Sequence, residues 1–379
     1  MLLHCDRTLV NGSWESCTIR VKEGLIEKLG HLVPELGEEE INLHGLTLLP
    51  GLIDSHIHGC AGADCMDATP EALQTMSVEL LKAGVTAFVP TTMTALPQDL
   101  LPALKNIGNM VGKTGGARIL GAFAEGPFIT AEHRGAQPLE AIAEPSEELL
   151  EQMLSAAGGT LKKVIIAPEA EGAAHFCRSV CEKGVIPAIG HSSATCDQTN
   201  ACIEAGASIA VHCYNAMRGL HHREPGLLGA VMASERIYAE LILDCIHVHP
   251  TAAKLLLRAK GADKVVLISD CMRAGGMADG EYMLGDTKCF VKDGIARTAE
   301  GNLAGSTLKL MDALKNAVEK LELPLETAVM LASENPAKAL GLFDTLGSIA
   351  KGKAADLIAI DENYDMKFVM VGGEIFDPN

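Results

Sequence analysis

Two histidines one residue apart, His56 and His58, close the apolar run TLLPGLIDSHIHG. On a strand successive side chains alternate faces, so both imidazoles point one way and form a chelating arm. An arm needs partners, and the right residue types stand at the ends of later apolar runs. They are Glu125 in AFAEGPF, Glu169 in APEAEG, His191 in AIGHSSAT, His212 in AVHCYNAM, Asp244 and His247 in LILDCIHVHP, and Asp270 in LISDCMRAGG. Imidazole and carboxylate together suit Zn²⁺ or Fe²⁺, whereas Mg²⁺ and Ca²⁺ take oxygen ligands. Any one of these histidines is explained as well by a hydrogen bond to a loop carbonyl. Five strand ends carrying ligand types by accident is much harder to obtain.

Asp270 follows the apolar run VVLI, where a charge needs a partner or a metal. It reads either as a cap for the following segment or as a proton acceptor beside a metal site. A metal there lowers the pKa of water to about 7 and polarises a carbonyl. Hydrolysis of a C–N or C–O bond is the chemistry these parts describe.

These side chains must be brought together by the elements that carry them. Apolar runs at LIDSH, VTAFVPTT, RILGAFAEG, KVIIAPE, VIPAIGHS, SIAVHC, YAELILD and KVVLISD alternate with helical patterns such as TPEALQTMSVELLKAG and SEELLEQMLSAAGG. Each of these two helices is opened by a capping residue and closed by glycine. Eight such units match a (β/α)8 TIM-like barrel over residues 51–340, whose chemistry sits at the C-terminal ends of its strands. Steps of about 67, 66, 21 and 58 residues from His58 through Glu125, His191 and His212 to Asp270 place them on the first, third, fifth, sixth and eighth strands. A doubly wound sheet fits less well, because HIHGCAGADC after the first strand is no dinucleotide fingerprint. Residues 1–50 and 341–379 read as short alternating strands, with a turn at Glu23–Gly24. They predict one small β-sandwich domain built from both termini.

The 379 residues are 48% hydrophobic, 21% charged and only 3% aromatic, a globular composition suited to close helix–sheet packing. A net charge of −18 argues against nucleic acid and anionic membrane, though a locally basic pocket can still take a phosphorylated small molecule. No apolar run is long enough for a membrane span, and the first residues lack the pattern of a signal peptide. The 12 cysteines include no Cys-x-x-Cys pair and read as reduced, mostly buried thiols of a cytoplasmic enzyme.

The segments PGLIDSHIHG, AEGPFI, GHSSAT, HCYNAMRGLHHREPG and GSIAKGKAADLIAID resemble the amidohydrolase superfamily and, more narrowly, its N-acetylglucosamine-6-phosphate deacetylase family. The resemblance spans essentially the whole chain. It implies that Glu125, His191 and His212 hold the principal metal, zinc or iron, and that Asp270 is the general acid/base. Asn215 and Ala216 match the segment that holds substrate. Arg223 and His247 match the phosphate-contacting pair, with Arg223 reaching in from the neighbour of a homodimer. A guanidinium fork suits a phosphate, although Arg223 by itself reads as a surface partner of Glu224.

Where family members carry a carbonyl-polarising histidine, this chain has Gln137, which can donate a hydrogen bond but carries no charge; His133 is the other candidate. Because both His56 and His58 are present, a second ion is expected between them, Glu125 and Asp270, giving one or two ions per chain. The implied reaction is deacetylation of N-acetyl-D-glucosamine 6-phosphate, releasing acetate and D-glucosamine 6-phosphate in amino-sugar catabolism. The galacto epimer, another amidohydrolase substrate such as a cyclic amide or an N-acyl amino acid, and a non-catalytic homologue are the rivals.

Overall fold

The computed structural model describes residues 1–377; the last two positions of the 341–379 segment lie outside the described residues. Eight parallel strands form the barrel: Leu52–Ile57, Val85–Thr92, Ala122–Ala124, Leu161–Ile166, Ile186–Ile189, Ile209–Ala210, Tyr238–Ile242 and Val265–Ile268. Each pairs with its successor. The ring closes where the Asp270 N–H donates to the His56 carbonyl at 2.9 Å.

Val85–Thr92 is buried at every position, as expected of a parallel strand covered on both faces. A helix follows each strand, the first being Pro70–Lys82. Thr69 caps that helix by accepting from the Ala72 N–H, and proline occupies its first turn, where no backbone donor is needed. Leu73, Met76 and Leu80, spaced three and four residues apart, bury one face against the barrel wall. Each contributes about 1.5–3 kcal/mol by leaving water.

The terminal strands form one continuous eight-stranded sheet. It curls so that the edge strand Leu25–Gly30 meets the segment leading into Leu357–Ile360. Ile26 and Lys353, Gly352 and Ile26, and Ala355 and Gly24 are joined there by backbone bonds of 2.8–2.9 Å. Its own core draws Leu3, Ile19 and Ile26 from one end of the chain and Leu357, Phe368 and Met370 from the other. The Glu23–Gly24 turn has φ of 51° and 79°, the left-handed geometry of a tight hairpin. Arg118 fastens the sheet to the barrel by a two-pronged contact with Asp356 at 2.8 and 3.0 Å.

Within the sheet, the Arg20 guanidinium donates twice to Glu38 at 2.9 Å and holds its carboxyl down at about 2. The unfolded value is about 4.3, so the pair's contribution is complete above that pH and is lost as pH falls through about 2. Glu38→Gln is expected to lower the melting temperature at pH 7, with the gap to wild type closing as pH falls from about 4 toward 2.

After the eighth barrel strand, an excursion forms a three-stranded antiparallel sheet, Gly280–Leu284, Thr287–Lys292 and Ile295–Thr298. The repeating-unit pattern did not anticipate it. It packs Leu284, Cys289 and Val291 against Met93 and Met272, beside the barrel mouth. All 12 cysteines are free thiols, and no helix of the described residues is long and apolar enough to cross a membrane.

Candidate metal centre

Apart from His56, which lies inside the first strand, the residues that meet at the mouth sit one or two positions past the strand ends. Glu125 follows Ala122–Ala124, His191 follows Ile186–Ile189, His212 follows Ile209–Ala210, and Asp270 follows Val265–Ile268. His191, His212 and Asp270 have φ of 47°, 27° and 49°. Left-handed backbone is uncommon for such residues and costs on the order of 1–3 kcal/mol at each. It turns the chain sharply after a short strand and aims each side chain inward. Surrounding bonds hold the bends: the Ser306 N–H donates to the Asp270 carbonyl at 2.7 Å, and the Thr130 hydroxyl to the His191 carbonyl at 3.0 Å.

Glu125 is the hub. Its Oε1 lies 2.9 Å from His212 Nε2, 3.3 Å from His56 Nε2 and 3.5 Å from His191 Nε2. Its Oε2 lies 3.1 Å from His58 Nε2. Two triads therefore share one carboxylate: His56, His58 and Glu125, and Glu125, His191 and His212, with the ligand atoms of each within 4.8 Å of one another. Asp270 Oδ1 borders the first triad, 3.2 Å from His58 Nε2 and 3.5 Å from His56 Nε2.

The histidine tautomers follow from what stands behind the rings. Nδ1–H of His58 donates to the Thr91 carbonyl at 3.0 Å, that of His191 to the His133 carbonyl at 2.7 Å, and that of His56 to Glu240 at 2.9 Å. Those bonds leave the Nε2 lone pairs facing the hub. His191 Nε2 and His212 Nε2 approach to 3.0 Å, and His56 Nε2 is buried without a hydrogen-bond partner among the described residues. Lone pairs crowded together beside a carboxylate fit a cation between them.

Electrostatics agree. Burial alone would lower the His56 ring, yet Glu125, Asp270 and Glu240 raise it to about 9. Burial would raise the Glu125 carboxyl, but the surrounding rings hold it well below the usual carboxylate range. Asp270 shifts the same way, with His56 and His58 outweighing its burial. The pocket attracts positive charge from either a proton or an ion, and the donor set of nitrogen and carboxylate oxygen suits a divalent transition metal.

A cavity of about 260 Å³ opens beside these ligands, lined by Gln137, Asn215, Ala216 and His247 among others. Gln137 donates one amide hydrogen to Glu125 Oε2 at 2.9 Å, and its carbonyl accepts from the Thr94 N–H at 2.7 Å. One N–H remains for a bound molecule. His133 contributes its backbone carbonyl to His191 and does not line the cavity. Asn215 lies against the His212 carbonyl, while Ala216 accepts from the Ser192 N–H. Asp244 accepts from His247 Nδ1–H at 2.6 Å, aiming that ring into the cavity.

Glu169 lies outside both triads; it accepts from Ser192 and Ser193 and braces the His191 loop. Arg223 is exposed and away from this cavity, its guanidinium donating to His222 Nε2 at 3.0 Å. Glu224 is not the surface partner of Arg223 that the sequence alone suggests, but accepts from the Cys196 and Gly226 N–H groups. Met93, Leu284, Asn302 and Leu303 line the cavity too and were missed. The alternation EYML-GD-TKCFVK-DG-IART signals the hairpins that bring the last three there.

The chain matches the amidohydrolase family over residues 47–376. It is 40% identical over 381 aligned positions to the N-acetylglucosamine-6-phosphate deacetylase of Vibrio furnissii, covering 99% of this chain and 95% of the relative. It is 38% identical to the N-acetylgalactosamine-6-phosphate deacetylase of Escherichia coli O157:H7, covering 99% and 98%. A solved structure of a mutant N-acetyl-D-glucosamine-6-phosphate deacetylase from Mycobacterium smegmatis, in complex with N-acetyl-D-glucosamine-6-phosphate, superposes with a TM-score of 0.92 at 34% identity. That match covers 99% of this chain and 98% of the other.

Proposed function

The chain belongs to the amidohydrolase family, and from that premise we propose that it hydrolyses the acetamide of N-acetyl-D-glucosamine 6-phosphate to D-glucosamine 6-phosphate and acetate. The observation that carries this reading is the convergence of four imidazole Nε2 atoms on Glu125 beside a cavity walled by hydrogen-bonding groups. Glu125, His191 and His212 would hold the principal ion, zinc or iron, and His56 and His58 with Glu125 and Asp270 a second. When bound, such an ion supplies Lewis acidity, lowering the pKa of water to about 7 and drawing charge from a carbonyl.

Asp270, ionised at neutral pH, takes the proton of the attacking water as the new C–O bond forms. It returns that proton to the amide nitrogen as the C–N bond breaks, so the amine leaves neutral. The free N–H of Gln137 and the Asn215 amide offer donors to substrate oxygens. His247, held by Asp244, faces the sugar phosphate, and Arg223 completes the phosphate contact across a homodimer. The reaction serves amino-sugar catabolism in the cytoplasm.

The galacto epimer is a second reading, because a relative acting on it matches almost as well. Acetate release from both epimers, with metal analysis of the same preparation, tests the assignment. A preparation that binds metal and releases acetate from neither sugar phosphate rejects it. Arg223→Ala is expected to raise KM for the phosphorylated sugar about 10- to 100-fold, the worth of a charged hydrogen bond, and hardly to change it for the unphosphorylated one.

A further inference from the structure

The four ligating histidines differ in what stands behind them. His58 and His191 donate to backbone carbonyls, and His212 Nδ1 has no hydrogen-bond partner among the described residues. His56 alone is backed by a carboxylate, Glu240 Oε2 at 2.9 Å. The other oxygen of that carboxylate accepts from Lys163 Nζ at 2.6 Å. Lys163, Glu240 and His56 come from the fourth, seventh and first barrel strands, and none is more than 1% exposed. Phe123 floors the row: Lys163 Nζ lies 4.1 Å from its ring centre, and the His56 ring meets it edge-on at 4.9 Å.

An ion pair buried this deeply is weak support for stability, since apolar residues of the same volume often serve as well. Its alignment with one metal ligand gives it another use. A carboxylate behind an imidazole fixes the Nδ1–H tautomer and makes Nε2 a stronger donor than a carbonyl does. Lys163 balances the carboxylate and occupies its second oxygen, so Glu240 cannot swing away from His56. The other carboxylates paired with the ring, Glu125 and Asp270, both lie on the Nε2 side.

We infer that Lys163 and Glu240 are positioning residues for the His56–His58 subsite, setting the affinity of the second ion while leaving the principal one unaffected. This rests on the two-ion reading given above. It predicts a selective loss that a merely structural pair would not produce.

The test is equilibrium dialysis of the intact protein against graded free Zn²⁺, with metal content read by mass spectrometry and folding by thermal melting. Wild type is expected to take up two ions. Glu240→Gln keeps the side-chain shape without the charge, and Lys163→Met/Glu240→Leu replaces the whole pair with apolar groups. Both variants are expected to bind the first ion as wild type does and the second about 10- to 100-fold more weakly. The apolar pair keeps the test open should the glutamine variant fold poorly. Second-ion affinity unchanged in both variants overturns the inference alone. A wild type that holds one ion, with His56→Asn indistinguishable from it, overturns the two-ion reading and the inference with it.

Discussion

Asp270→Asn is expected to lower kcat by about 10²- to 10⁴-fold while the ion at Glu125, His191 and His212 stays at its wild-type content. In barrier terms that is about 3–5 kcal/mol. Asparagine keeps an oxygen where Asp270 Oδ1 meets His58 and His56, so the ligand atoms stay satisfied. Its backbone N–H still donates to the His56 carbonyl, and the left-handed φ of 49° is one asparagine tolerates well. What disappears is the ability to take and return a proton. Turnover with metal bound separates this from loss of the ion, and near-normal turnover in a fully metallated variant would remove Asp270 from the chemistry.

That prediction was reachable from the chain alone because it depends on residue type at a strand end. A His, Glu or Asp closing an apolar run stands out against it, and the spacing of βα units orders those ends around one mouth. The His56–Ile57–His58 arm needs only the alternation of a strand. The residues behind the candidate ligands are harder to see. Lys163 lies inside LKKVII and Glu240 inside YAELI, each read as part of a strand with no chemistry assigned. A charged residue amid buried strand positions is the signal, because it must find a partner. Which partner depends on barrel geometry that brings the fourth strand opposite the seventh.

The roles of Gln137 and Arg223 differ in legibility for the same reason. Gln137 was singled out for where it falls after Glu125, yet its amide is divided between Glu125 and the Thr94 N–H. No spacing rule conveys that division, since a long loop carries Gln137 back over the mouth. Arg223 does not line the cavity of its own chain, so the phosphate contact proposed for it would need a second copy, which a single chain expresses only through family pattern. The three-stranded excursion was hidden because the barrel count was already complete without it. Its Asp293–Gly294 turn, with φ of 52° and 72°, is nonetheless a strong local hairpin signal.

Glu125→Gln is expected to do more damage than any other single change in the site, and of a different kind from Asp270→Asn. Both oxygens of Glu125 are in use, one facing His56, His191 and His212 and the other His58 and Gln137. An amide turns one of them into a donor. If nitrogen replaces Oε2, its hydrogens meet the Gln137 amide donor and His58; if it replaces Oε1, they meet three imidazoles. In either orientation the shared negative charge between the triads is gone, and burial leaves no water to replace it. The chain should then retain less than one ion after dialysis against metal-free buffer, and turnover should fall by at least about 10³-fold, of which metal loss is the larger part. Excess metal in the assay should recover only a small fraction, whereas it should recover most of the activity of a simply demetallated wild type. Wild-type metal content together with activity within about tenfold of normal would place the bridging charge elsewhere.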